Sequence, residues 1–155
     1  QPGSAAIDEC YAKNMTAYEA WRLALSGWTR IPELEPIIAS NAETAFMYAY
    51  NIIRGRWPEA EEAIATGAGL DDDEDKACWA FRYLKCVKNG YTQKFPKLHE
   101  RPPSYETWPE AEEVIKADEG YRALYYLYTT RAIFERDFDS LITTAILINA
   151  FSGDQ

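Results

Sequence analysis

The six-residue word Trp-Pro-Glu-Ala-Glu-Glu occurs twice in this chain, at Trp57 to Glu62 and at Trp108 to Glu113. Each copy leads into an apolar pair ending in isoleucine, Ala63-Ile64 and Val114-Ile115, and a degenerate copy, Ile31-Pro32-Glu33-Leu34-Glu35-Pro36-Ile37-Ile38, precedes both. A word that contains tryptophan does not recur intact in 155 residues by accident. Internal repetition restricts the fold to units that share a core none could build alone.

The word itself spells a helix start. Proline fits the first helical position, where its missing N–H would be unpaired anyway. Glu59 and Glu61 then fall in the first turn, at the favourable end of the helix dipole. Trp57, Ala60 and Ile64 share a face at helical spacing, as do Trp108, Ala111 and Ile115, and Ile31, Leu34 and Ile38. A longer apolar stripe precedes each word: Ala17, Ala20, Trp21, Ala24 and Leu25 before Gly27; Ala45, Tyr48, Ala49, Ile52 and Ile53 before Gly55; Ala80, Tyr83, Leu84 and Val87 before Gly90. Glycine beyond such a run is expected to stop the helix in the left-handed conformation. A fourth long helix is expected around Tyr121 to Phe134. A closing helix carries Phe138, Leu141, Ile142, Ala145, Ile146 and Ile148, capped by Asp137 or Asp139. The expected fold is all-α: stacked antiparallel helix pairs, short α-α repeats, with a closing C-terminal helix and one long inserted loop. Gln1 to Ser4 reads as an expression scar, and residues 5–155 as a single helical-repeat domain. No apolar run approaches bilayer length and no signal-peptide pattern is present, so a cytoplasmic location without membrane contact is expected.

Chemistry-bearing motifs are sparse. The single histidine, His99, lies in a proline-rich stretch with no flanking nucleophile motif, so no catalytic residue is assigned. The pairs Glu61-Glu62 and Glu112-Glu113 are explained by dipole complementarity and solubility rather than acid–base work. Asp71 to Asp75 lacks the alternating ligands and central glycine of a calcium loop and reads as the solvated start of a helix near Lys76. No zinc spacing and no glycine-rich phosphate loop is present, so neither metal nor cofactor is expected. Cys78 and Cys86, eight apart on one helix, cannot bridge each other, and the three cysteines read as reduced thiols.

Charge is unevenly spread. The chain carries −9 overall. Residues 1–75 carry −9, residues 76–101 carry +6, and residues 102–155 carry −6. Global acidity disfavours direct nucleic-acid or anionic-membrane binding. The basic segment runs into an insertion, Tyr91 to Thr107, between a long helix and its short partner. Its partner-binding candidates are Tyr91, Lys94, Phe95, Lys97, His99, Arg101 and Tyr105, basic and aromatic types suited to an acidic protein surface or an anionic ligand. The competing reading is a proline-stiffened strap over its own helices. Arg54 and Arg56, extended by Arg82, Lys85 and Lys88, form a weaker candidate patch for anion or ligand contacts.

The pattern from Ala45 to Glu61, with Ala-Tyr-Ala and Ile-Ile leading into Arg-Gly-Arg-Trp-Pro-Glu-Ala-Glu, resembles a helical repeat of bacteriophage and giant-virus proteins. The likeness is closest from Ala45 to Ala65, extends to Trp108 to Ile115, and is weaker in the first unit. The Asp-rich stretch and the insertion depart from the plain repeat. The resemblance implies a phage-encoded protein in a bacterial cytoplasm and supplies no catalytic residues. The expected function is a non-enzymatic protein-binding module that inhibits a host defence enzyme or complex by steric blockade. Two alternatives stand beside it: an acidic nucleic-acid mimic occupying a basic channel, and a small-ligand, nucleotide-binding protein.

Overall fold

The computed structural model describes residues 15–90 and 106–129, and among these the chain is all helix with no strand. A long helix α1 (Ala17–Gly27) is followed by a short α2, which enters through a 3-10 turn (Pro32–Leu34) and continues over Glu35–Ile38. The long α3 (Ala42–Tyr48) is extended by a π-helical turn (Ala49–Ile53) and followed by the short α4 (Pro58–Thr66). The long α5 (Asp73–Tyr83) is likewise extended by a π-helical turn (Leu84–Lys88). After the inserted segment comes α6, a 3-10 turn (Pro109–Ala111) running into Glu112–Ala117, and then α7 (Glu119–Thr129). The expected closing helix and the stretch of the fourth long helix beyond residue 129 lie outside the described residues.

Successive long helices touch in order, α1 with α3, α3 with α5 and α5 with α7, while α4 and α6 touch each other on the short-helix side. The two π turns are also in contact. At the opposite end, the Ala42 N–H at the start of α3 donates to the Ala68 carbonyl, in the loop leading to α5, at 2.8 Å. With both ends of α3 and α5 adjacent, these long helices run in the same direction. The acids that open the long helices (Glu43; Asp73 to Asp75; Glu119) therefore stand at the end of the molecule away from Arg54 and Lys88.

The core is one cluster filled by the faces the periodicity marks. Ala20, Trp21 and Ala24; Ala45, Tyr48 and Ala49; Ala60 and Ile64; Ala80, Tyr83, Leu84 and Val87; Ala111 and Ile115 are all buried. Trp57 and Trp108 are only 2% and 3% exposed. Alanines at the helix contacts let the aromatic rings between them interdigitate, as close packing requires. The first two long helices start at well-formed caps, whereas Asp72 before α5 makes no side-chain capping bond. Thr16 and Glu19 make a reciprocal capping box, and the Asn41 side chain accepts from Glu43 and Thr44.

Two helix ends differ from the glycine rule. The left-handed residues after α1 and α3 are Trp28 (φ 48°) and Arg54 (φ 63°), not Gly27 and Gly55; only Gly90 takes the expected conformation. The π turn is the reason at Arg54: its N–H reaches back five residues to the Ala49 carbonyl at 2.7 Å, so the helix closes one residue before the glycine. The Asn89 N–H makes the same five-residue reach to Leu84 at 2.9 Å, and Gly90 then turns the chain.

Candidate functional site

The repeated word builds a repeated polar knot. At each short-helix start, the N–H of the residue before proline donates to a tyrosine hydroxyl from the following long helix: Ile31 to Tyr48 at 3.0 Å, Trp57 to Tyr83 at 2.9 Å, Trp108 to Tyr125 at 3.1 Å. That hydroxyl then donates to the glutamate four residues further along the short helix: Tyr48 to Glu35 at 2.7 Å, Tyr83 to Glu61 at 2.8 Å, Tyr125 to Glu112 at 2.6 Å. The tyrosine thus caps a helix start whose own N-cap side chain, an isoleucine or tryptophan, makes no capping bond. Its ring meanwhile packs on the next unit's tryptophan, Tyr48 on Trp57 with centroids 4.9 Å apart and Tyr83 on Trp108 at 5.4 Å.

In the first two knots an arginine completes the set. Arg30 binds Glu35 through two parallel bonds of 2.8 and 2.9 Å, and Arg56 binds Glu61 through two of 2.9 and 2.8 Å. The Arg30 guanidinium, helped by the Tyr48 hydroxyl, holds the Glu35 carboxyl below its ordinary range against the opposing effect of burial. Arg56 and Tyr83 do the same to Glu61. Burial, reinforced by the carboxylate alongside, pushes the Tyr48 and Tyr125 hydroxyls up to about 12 and raises Tyr83 as well. These tyrosines stay protonated donors. In the third knot Thr107 stands where the arginine would be, and Glu112 is lowered chiefly by the Tyr125 hydroxyl.

Between successive short helices runs a pair of equivalent grooves. One, of about 340 Å³, is lined by Pro32, Glu35, Pro36, Ala39, Trp57 and Glu59. The other, of about 450 Å³, is lined by Arg56, Glu61, Glu62, Ala65, Thr66, Lys88, Trp108 and Glu110. Glu61, Glu62, Ala65, Trp108 and Glu110 occupy the repeat positions of Glu35, Pro36, Ala39, Trp57 and Glu59. The same mould therefore carries two equivalent glutamates in both copies, with Pro32 and Pro36 beside them in one and Arg56, Glu62 and Lys88 in the next. Lys88 lies over the Trp108 ring with its ammonium 5.3 Å from the centroid.

Of the residues singled out by sequence, Tyr91, Lys94, Phe95, Lys97, His99, Arg101 and Tyr105 lie outside the described residues. The base of their segment is visible. The Asn89 side chain accepts from the Glu106 N–H at 3.0 Å and donates to the Glu106 carbonyl at 3.4 Å and to the Tyr128 hydroxyl at 3.0 Å. One buried amide thus clasps the two strands of chain that lead into and out of the insertion. Arg56 pairs with Glu61, while Arg54 is exposed at its left-handed turn. Glu61 and Glu112 stand in the first turn as expected but also accept from buried tyrosines, and of the two pairs only Glu62 and Glu113 are exposed in the manner expected of solubilising charges. The signal for this was present in the repeated word, since a carboxylate kept at one position of each copy, with a tyrosine inside the next stripe, is a donor–acceptor pair.

The acidic run is exposed, with α5 starting inside it at Asp73. Among the described residues no group of three or more histidine, cysteine or carboxylate side chains could hold a metal ion, and no helix is long and apolar enough to cross a membrane. No protein-family model, curated protein or solved structure matches the chain.

Proposed function

We propose that this chain is a non-enzymatic protein-binding module, a short stack of antiparallel helix pairs whose short-helix side is offered to another protein. The carrying observation is the pair of equivalent grooves. Their framework is repeated from unit to unit by the tyrosine–glutamate knots, while their linings diverge, with prolines beside the shared glutamates in one and Arg56, Glu62 and Lys88 beside them in the other. A scaffold that repeats and a lining that does not is the pattern of a recognition surface. Reaction chemistry finds little support: the lowered carboxyls of Glu35, Glu61 and Glu112 and their tyrosine partners are locked in hydrogen bonds that stabilise helix starts. With the likeness to phage helical repeats, we further propose a phage-encoded inhibitor in the bacterial cytoplasm, obstructing a host defence enzyme or complex by steric blockade.

The test is capture of host proteins by the whole chain, followed by affinity measurement on two variants. Glu62→Lys with Glu110→Lys reverses two exposed groove charges and should weaken binding at least tenfold with an unchanged helical spectrum. Alanine at Phe95, Lys97 and Arg101 should weaken it without unfolding if the inserted segment also contacts the partner. Full affinity in both variants removes these surfaces from consideration.

The exposure of Glu59, Glu62, Asp71 to Asp75 and Glu110 favours the nucleic-acid mimic as a second reading. Its signature is affinity for a nucleic-acid-handling enzyme that falls steeply with salt. Nucleotide capture is disfavoured, because the larger groove presents three carboxylates and its arginine is already paired.

A further inference from the structure

The three knots serve as internal controls for one another, and the third is incomplete. Arg30 and Arg56 each sit five residues before their glutamate and cover it, leaving the Glu35 and Glu61 side chains 15% and 16% exposed. Five residues before Glu112 stands Thr107, and the Glu112 side chain is 33% exposed. Its Oε2 receives the Tyr125 hydroxyl as in the other knots. Among the described residues, its Oε1 receives only the Lys116 ammonium, one turn along the same helix, at 3.4 Å. An ammonium on one oxygen does not replace the planar two-pronged grip of a guanidinium. Glu106, Glu110 and Glu113 are exposed on the same short stretch, with the Lys88 ammonium over Trp108 and the Lys116 ammonium over Tyr125.

We propose that Glu112, held by Tyr125, is a socket for an arginine side chain of the partner protein, which supplies the guanidinium that Arg30 and Arg56 provide internally in the other two knots. This rests on the reading of the chain as a protein-binding module and names one contact within it. The ligand chemistry is specific: a guanidinium, bound edge-on to the carboxylate beside Trp108, with lysine a poor substitute.

The test uses the whole chain, isotope-labelled, titrated with N-acetyl-L-argininamide and with N-acetyl-L-lysinamide while backbone amide resonances are followed. Argininamide should shift the amides of Thr107, Trp108 and Glu112 saturably and several-fold more tightly than lysinamide. Glu112→Gln should abolish the response. Thr107→Arg should raise the melting temperature and also abolish it, because the socket is then filled from within. Equal responses to the two amides, an undiminished response in Thr107→Arg, or no response in the wild type would overturn the socket; the last would mean that Lys116 or another side chain of this protein already satisfies Glu112. The module reading fails separately. If the captured partner binds Glu112→Gln and the groove variants with full affinity while argininamide still titrates Glu112 in the wild type, the assignment of the guanidinium to a partner is wrong and only the free-ligand chemistry stands.

Discussion

The second and third knots differ in what they offer the outside, with Thr107 in the place of Arg56 and Lys116 in the place of Ala65. Around Glu61 the carboxylate is answered from within: Arg56 grips it, Tyr83 bonds both it and the Trp57 N–H, and the carboxylate is mostly shielded from water under a half-exposed Arg56. Around Glu112 the tyrosine bonds are the same length within a few tenths of an ångström, but the guanidinium is gone and the carboxylate is twice as exposed. The lesson is that the tyrosine carries the architecture and the arginine does not. A knot can lose its ion pair and keep its geometry, which frees the ion-pairing position for other use.

The sharpest way to break the equivalence of the two units is through their tryptophans. Trp57→Ala and Trp108→Ala should each cost about 3–5 kcal/mol in denaturant unfolding, the range for deleting a large buried aromatic. A loss at Trp108 below about 1 kcal/mol would mean that the third unit is not packed like the second. Next come the tyrosines. Tyr83→Phe leaves both the Trp57 N–H and the shielded Glu61 carboxylate short of a partner and should cost about 1–3 kcal/mol. Tyr125→Phe should cost less, because water reaches Glu112 in its place.

Titration sharpens the comparison further. The carboxyls of Glu35, Glu61 and Glu112 are lowered on folding, so their contribution is complete above the unfolded carboxyl value near 4.5 and drains as pH falls through the lowered folded values. Acid unfolding of Glu61→Gln should therefore be shallower than that of the wild type. Tyr48 and Tyr125 are raised from 10.0 to about 12, so their contribution is complete below pH 10 and is lost as pH rises toward 12. Tyr125→Phe should flatten that alkaline loss. The smallest effect expected is a gain. Thr107→Arg should stabilise by roughly 0.2–1 kcal/mol, as partly exposed ion pairs do, and a loss would mean that the third socket is shaped differently.

Much of the helical frame was legible in the chain. The repeated word marked the short helices, and period 3.6 picked out Trp57, Ala60, Ile64 and their counterparts as core. What escaped was geometry that adds no residue type of its own. A π turn leaves no compositional mark, so Gly55 drew the helix stop that Arg54 in fact makes; after α1, which has no π turn, the left-handed residue is Trp28 rather than Gly27. The knots escaped because their tyrosines follow the glutamates by thirteen, twenty-two and thirteen residues. The loop through Gly67 and Gly69 stretches the middle interval, and no fixed spacing survives to be noticed. Gly67 itself is required there, at φ 71° with the Lys76 side chain filling the space a Cβ would need. Most binding candidates fell in the inserted segment, whose flanks Asn89 and Glu106 are clasped together by the Asn89 side chain.

Tyr48 and Tyr83 each belong to two units at once, the hydroxyl tied to the short helix behind and the ring wedged against the tryptophan ahead. No scissile point between neighbouring units therefore yields two self-sufficient fragments, for any cut strands a ring or orphans a helix start. Such a chain should melt as one cooperative block rather than fray from its ends, and shortened versions should fail abruptly instead of losing stability in proportion to the units removed.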